Sequence, residues 1–200
     1  YTEYIEKMMW NYVYLNRGLV IVFNGQKFIS KNGLLDLLTN SINGEALYPP
    51  IHLEEDDFEF AITHTSRRYG EEYYSFVNSQ NTTQGGTHQQ AFREAIVKTV
   101  RDFYKKDFDP SDIRNSIVAA ISIKVKSPIF ESQTKTKLGS QYMAPGGQTI
   151  RYYINEVVGR LLDKYLHMNN DVADILLKKI LESEKERKEI ASIKKVSKEV

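Results

Sequence analysis

The segment Ser132-Gln133-Thr134-Lys135-Thr136-Lys137-Leu138-Gly139 gathers the side chains of this chain best suited to holding phosphate. A lysine ammonium is a compact point charge on a flexible stem, and a neighbouring glutamine can donate hydrogen bonds to the same oxygens. Both contacts strengthen as negative charge develops on a transferring phosphoryl group. Exposed lysines are also the ordinary residents of solvated loops, and on spacing alone that is the better account of the segment. No Gly-x-x-x-x-Gly-Lys-Ser/Thr run occurs, so the chain has no P-loop of its own.

Other groups are weaker candidates. Gly85-Gly86-Thr87-His88 precedes a long helical pattern, which predicts Thr87 as an N-cap whose hydroxyl accepts a backbone N–H, with the glycines giving a sharp entry. A helix start can also hold an anion, although most are simply capped. His88 reads as a first-turn structural residue, since no acidic partner for a base is identifiable. Arg67-Arg68 and Lys194-Lys195 are small basic patches that could touch nucleic-acid phosphate or serve as plain surface charge. With 27 basic and 26 acidic residues, a net charge of +1 favours the second and excludes a basic nucleic-acid coat. His52, His64, His88 and His167 are too scattered for a metal cluster. The absence of cysteine removes disulfides, thiol nucleophiles and Cys-based zinc, and fits a cytoplasmic setting.

Those groups need elements to position them. At 200 residues and 41% hydrophobic, the chain can fill one good core plus an appended element. Helical spacing runs from Thr2 to Leu15. Leu19 to Phe23 and Lys27 to Ile29 flank Asn24-Gly25, the signature of a type I′ hairpin, and Gly33 to Ser41 reads as a short helix. Phe58 to Thr63 alternates, Tyr73 to Val77 is β-rich, and the polar stretch Ser66 to Gly70 predicts a hairpin between them. A long helix follows Thr87, a short one opens at Pro110-Ser111-Asp112, and Ile117 to Val125 predicts a strand buried on both faces. Residues 127–147 then have almost no hydrophobic period, so a long loop, functional or disordered, is expected there, with 133–147 mobile because it has few apolar anchors. Two helices close the chain, the second losing its apolar stripe from Glu182 onward. The order predicts an α+β domain, a mostly antiparallel sheet with helices on one face and a long projecting C-terminal helix. No run is long and apolar enough for a membrane span, and both ends read as cut within helices of a longer protein.

Three stretches in one order carry a resemblance: Phe76 through Phe92 with its Gly-Gly-Thr-His, Asp112 through Val125, and Pro128 through Gly139 with its Gln-Thr-Lys. They resemble the ATPase subunits of the bacterial type IIA DNA topoisomerases, DNA gyrase and topoisomerase IV. Leu15 through Phe23 resembles the end of the nucleotide-binding domain in the same family.

The resemblance implies residues 1–30 as the end of a GHKL nucleotide-binding domain, 31–181 as a transducer domain of the ribosomal-protein-like βαβ type, and 182–200 as a helix projecting toward a TOPRIM domain. It maps the family's signature onto Gln133-Thr134-Lys135, with Lys135 touching the ATP γ-phosphate in a catalytic role and Gln133 assisting; Lys137 is outside the signature. It implies ATP, with Mg²⁺ held by parts of the subunit outside this chain. The implied partners are DNA, the DNA-cleaving A-type subunit, and a second copy in the ATP-closed state. The family more often has Glu where this chain has Gln89, which reads as a conservative change on an exposed turn. A fold of this type also suits an RNA- or ribosome-associated binding module, whose lysine loop would touch nucleic acid instead.

Overall fold

The computed structural model describes residues 1–42, 45–66 and 70–200. Arg67 and Arg68, and with them the tip of the expected hairpin, lie outside the described residues.

The first elements follow the residue pattern closely. Helix α1 (Thr2–Leu15) buries Val13, and its Trp10 ring stacks on Tyr14 and meets Phe28 edge-on at 5.0 Å. Strands β1 (Val20–Phe23) and β2 (Gln26–Ile29) pair antiparallel. Asn24 and Gly25 between them both have positive φ, 51° and 77°, as a type I′ turn requires. Helix α2 (Leu34–Ser41) then buries Leu34, Leu37 and Leu38.

The main sheet is built from β3 (Ile51–Glu55), β4 (Phe58–His64), β5 (Glu71–Val77), the two-residue β6 (Gln80–Asn81) and β7 (Ile117–Ile123). Between β6 and β7 come α3 (Thr87–Tyr104) and α4 (Pro110–Arg114). The spatial order is β3-β4-β7-β5-β6. Only β5 and β7 run parallel, joined through α3 as a βαβ unit; the other neighbours are antiparallel.

The expected β4–β5 hairpin is corrected by this order, because β7 lies between the two strands. The cause is burial. β7 is apolar on both faces, with Ile117, Ala119, Ile121 and Ile123 turned toward α3 and the helix α5 (Ile150–Met168), and Val118 and Ala120 turned toward α2. Such a strand is stable only in the middle of a sheet covered on both sides. The helical layer read for one face is present as α3 and α5, packed with Phe58, Phe60, Ile96 and Phe92; α2 covers part of the other. The strand β3, which the residue pattern did not announce, forms one edge.

Helix α6 (Asn170–Glu199) packs Val172, Ala173, Leu176 and Ile180 on the domain, buries Ser183, and is then exposed from residue 185 on. Its base is held by a charge pair. Arg187 Nε and Nη2 donate to the Asp112 carboxylate at 3.1 and 3.0 Å, and Asp112 is only 1% exposed. Ser183 sits in the same network, accepting from Asn115 Nδ2 at 3.2 Å. The α4 start falls at Pro110 as expected, and the structure adds its cap, Asp109 accepting from Ser111 N.

Candidate functional site

The polar loop joins β7 to α5 and has a fixed root and a free tip. The root is Leu138, fully buried within a segment that otherwise looks like surface. Its N–H donates to Gly85 O and its carbonyl accepts from Thr87 N, both at 3.1 Å, while Gln84 N donates to Thr136 O at 2.8 Å. The loop therefore lies as one strand-like rung against residues 84–87. The few apolar anchors expected for 133–147 are Leu138 and Met143, and both enter the core.

Gly86 makes the close approach possible. Its φ is 133°, and a Cβ placed there would stand 2.4 Å from Leu138 O and 2.5 Å from Leu138 N. A side chain at that position would be strained and would strike backbone, not a movable side chain.

Thr87 is not the N-cap; Gly86 is, and Thr87 is the first helical residue of α3. Its hydroxyl donates to Ser140 O at 2.6 Å, tying the helix start to the loop. With the Thr87 N–H already given to Leu138, this helix start holds a loop where the anion reading would put a ligand. Gln89 is also not on an exposed turn: it is half-buried and its Oε1 accepts from Ser75 Oγ at 2.7 Å.

His88 is fully buried. The Thr82 hydroxyl donates to Ser75 O, so it accepts from His88 Nε2–H at 3.1 Å, which fixes the tautomer. Burial lowers the His88 pKa to about 4, so the ring is neutral and structural, with Nδ1 unpartnered.

At the tip, Lys135 N donates to Ser132 O at 3.1 Å, closing a turn, and Lys135 adopts a left-handed φ of 57°. The hydroxyls of Ser132, Thr134 and Thr136 form a small cluster, and Thr136 Oγ1 donates to Gln84 Oε1 at 3.1 Å. Gln133 and Lys135 project from this frame and are exposed. The two lysines differ in one decisive respect. Lys137 Nζ is neutralised by Glu131 at 3.0 Å, whereas Lys135 has no side-chain partner among the described residues. Beside the tip, Tyr4, Lys7 and Asn11 of α1 face Asn81, Thr134 and Thr136 across a cleft of about 490 Å³.

The other sequence candidates fall apart spatially. Lys194 and Lys195 are exposed on distal α6. Of the histidines, His64 is buried between Tyr48 and α4, and His52 pairs with Glu59. Among the described residues no group of His, Asp or Glu is arranged to hold a metal ion, and no helix is long and apolar enough to cross a membrane. Reasoning from residues missed the dock at Gly86 and the root at Leu138. Its one visible signal was a lone leucine in a polar run.

The sequence profile of the DNA gyrase B family matches residues 19–196. The chain is 40% identical over 198 residues to the B-type subunit of DNA topoisomerase 4 from Borreliella burgdorferi, a match that covers 98% of this chain and 32% of that protein. It is 30% identical to the B-type subunit of DNA gyrase from Cytophaga aurantiaca, over 84% of this chain and 39% of that one. The chain thus spans roughly a third of the length of these relatives. Its fold is that of the 43K ATPase domain of Thermus thermophilus gyrase B, at TM-score 0.78 and 23% identity, over 97% of this chain and 56% of that one. The ATPase region of Saccharomyces cerevisiae topoisomerase II shares the fold at TM-score 0.63 and 22% identity, over 88% and 44%. With the profile spanning most of its length and B-type subunits of both enzymes among its relatives, the chain belongs to the DNA gyrase B family.

Proposed function

We propose that this chain is the coupling part of the ATPase subunit of a type II DNA topoisomerase, with Lys135 as the contact to the ATP γ-phosphate and Gln133 as its assistant. In this reading residues 1–30 end the nucleotide-binding domain, 31–181 are the transducer, and 182–200 lead toward the TOPRIM domain. The parent reaction is ATP-dependent passage of one DNA duplex through another, carried out with an A-type subunit and a second copy of this one. In the same reading Mg²⁺ is held by parts of the subunit outside this chain.

One observation supports the assignment most. Lys135 is an uncompensated cation on the tip of a loop whose root is built into the domain, two residues from a lysine that is already paired. An ammonium left without a partner keeps its full attraction for an incoming phosphate. It shifts open and closed subunits only by its difference in affinity for the two, so a contact made in the closed state alone is what couples nucleotide to shape.

The test is Lys135→Ala in the full-length subunit, assayed for ATP hydrolysis and ATP-dependent relaxation of supercoiled DNA. A charge-assisted contact that strengthens in the transition state is worth on the order of 3 kcal/mol, so a loss of about a hundredfold is expected, with an unchanged melting temperature. Gln133→Ala should be milder, since a neutral hydrogen bond is roughly half as strong. The 200-residue chain alone should release no phosphate from ATP. Near-normal turnover by Lys135→Ala, or its loss only with the fold, would return the loop to plain surface.

A further inference from the structure

The Gly85-Gly86-Thr87 turn does something that neither a helix entry nor a cap requires. It receives the lysine loop along its backbone, through Leu138 N–H to Gly85 O, Thr87 N–H to Leu138 O, and Gln84 N–H to Thr136 O. A side-chain bond from Thr87 Oγ1 to Ser140 O adds a tether two residues past Leu138, and Thr136 Oγ1 to Gln84 Oε1 adds one two residues before it. Lys135 is one residue beyond the last of these contacts. The position of its Cα is therefore set from residues 84–87 at the start of α3.

We infer that this turn is the dock of the phosphate loop, and that Gly86 and Thr87 are positioning residues for ATP turnover, acting through Lys135. The inference rests on the reading of Lys135 as the γ-phosphate contact. A lysine reaches a phosphate only over the length of its own stem, so a loop that leaves its dock loses the contact while the nucleotide pocket itself is untouched. Gly86 is required because nothing larger lets Leu138 backbone approach: the missing Cβ would lie 2.4 Å from its carbonyl oxygen. Thr87 is required for its hydroxyl, not for its helix-forming character.

Two readouts test this, one of them independent of ATP. Trypsin cleavage at the Lys137–Leu138 bond needs Leu138 withdrawn from the core, so its rate reports the undocked fraction. In the full-length protein, Gly86→Ala should raise cleavage there by roughly tenfold or more relative to cleavage at Lys195 on the exposed part of α6. Thr87→Val, which keeps the shape and removes one hydroxyl bond, should give a smaller rise, about threefold to tenfold, and Thr87→Ser should restore the wild-type rate.

In steady-state ATPase assays each dock variant should lower kcat in the same rank order and change KM for ATP by less than about threefold. The Gly86→Ala, Lys135→Ala double variant should be no slower than Lys135→Ala alone, because both changes remove one contact. A merely structural glycine would give additive losses. Unchanged cleavage in both Gly86→Ala and Thr87→Val would overturn the dock. Additive kinetic losses would overturn its role in turnover. If Lys135→Ala alone is fully active, the phosphate reading fails and the positioning role falls with it, whatever the cleavage shows. If Gly86→Ala does not fold, the Thr87→Val and Thr87→Ser pair decides the question on both readouts.

Discussion

The tip of the lysine loop and the base of α6 are both polar, and they treat charge in opposite ways. At the tip, Lys135 stands in solvent without a counter-charge among the described residues. At the base, Asp112 is withdrawn from water and Arg187 grips both its oxygens. A buried carboxylate is tolerable only when paired, and the pair then fixes geometry. An exposed ammonium fixes nothing by itself and remains free to bind. The contrast separates a group that meets a ligand from one that holds an angle.

Acid should have the largest effect and reach both regions, the dock of the loop through His88 and the base of α6 through a second buried ring. His64 lies there, its Nε2–H donating to Ile113 O at 2.8 Å and its Nδ1 accepting from Tyr48 OH at 2.5 Å. Burial lowers its pKa to about 4, helped by the nearby Lys179 and opposed by the Ile113 carbonyl; burial does the same to His88. A histidine depressed in the fold is neutral there, while the unfolded chain takes up its proton near pH 6.5. Stability from both rings is thus full above about pH 6.5 and lost as the pH falls toward 4, on the order of 3 kcal/mol for each. Melting temperatures measured from pH 7.5 to 4.5 should be level at first and then fall steeply. A level curve down to pH 4.5 would show that these rings are not held neutral by the fold.

Next in size is Arg187→Ala, which leaves the Asp112 carboxylate buried without its counter-charge. A drop in melting temperature of roughly 5 °C is expected. Replacing both partners with apolar residues, Asp112→Leu with Arg187→Met, should recover most of it, since the cost lies in the orphaned charge. A double variant as unstable as the single one would point to packing instead of charge.

The smallest effect sharpens the comparison at the tip. Lys137 and Glu131 are about half-exposed, at 45% and 52%, and a surface pair of this kind contributes between about 0 and 1 kcal/mol. Lys137→Ala should leave the melting temperature unchanged and ATP turnover within about twofold of wild type in the full-length subunit. A loss matching that of Lys135→Ala would erase the distinction between the two lysines.

Local features were the legible ones. Each helix has an apolar stripe of its own, and Asn24-Gly25 specifies its turn through two residues. What was illegible is held by distant partners. The pairing of β4 and β5 with β7 depends on which strand is buried twice, and nothing near Ser66 says so. β3 follows Pro49-Pro50 and alternates poorly, His52 and Glu54 flanking Leu53 without a clear apolar face. Asp112 and Arg187 meet across 75 positions, and both look like ordinary surface charge in the sequence. For the loop, composition singled out the polar segment 132–139, and only the family resemblance picked Gln133 and Lys135 within it. Composition misjudged the root, because one leucine cannot make a periodicity, and it misplaced Thr87 by a single helical position.

The grip on Arg187 also sets a mechanical ratio. From Arg187 to Val200 the helix runs on for about 20 Å at 1.5 Å per residue, with no buried side chain to brace it. A rotation of roughly 10° about that point would sweep the far end sideways by about 3 Å, while the carboxylate and guanidinium themselves need shift by only a few tenths of an ångström. Small adjustments near α4 would therefore arrive at the far end of α6 enlarged, passed on by the Arg187–Asp112 pair together with the apolar packing of Val172, Ala173, Leu176 and Ile180.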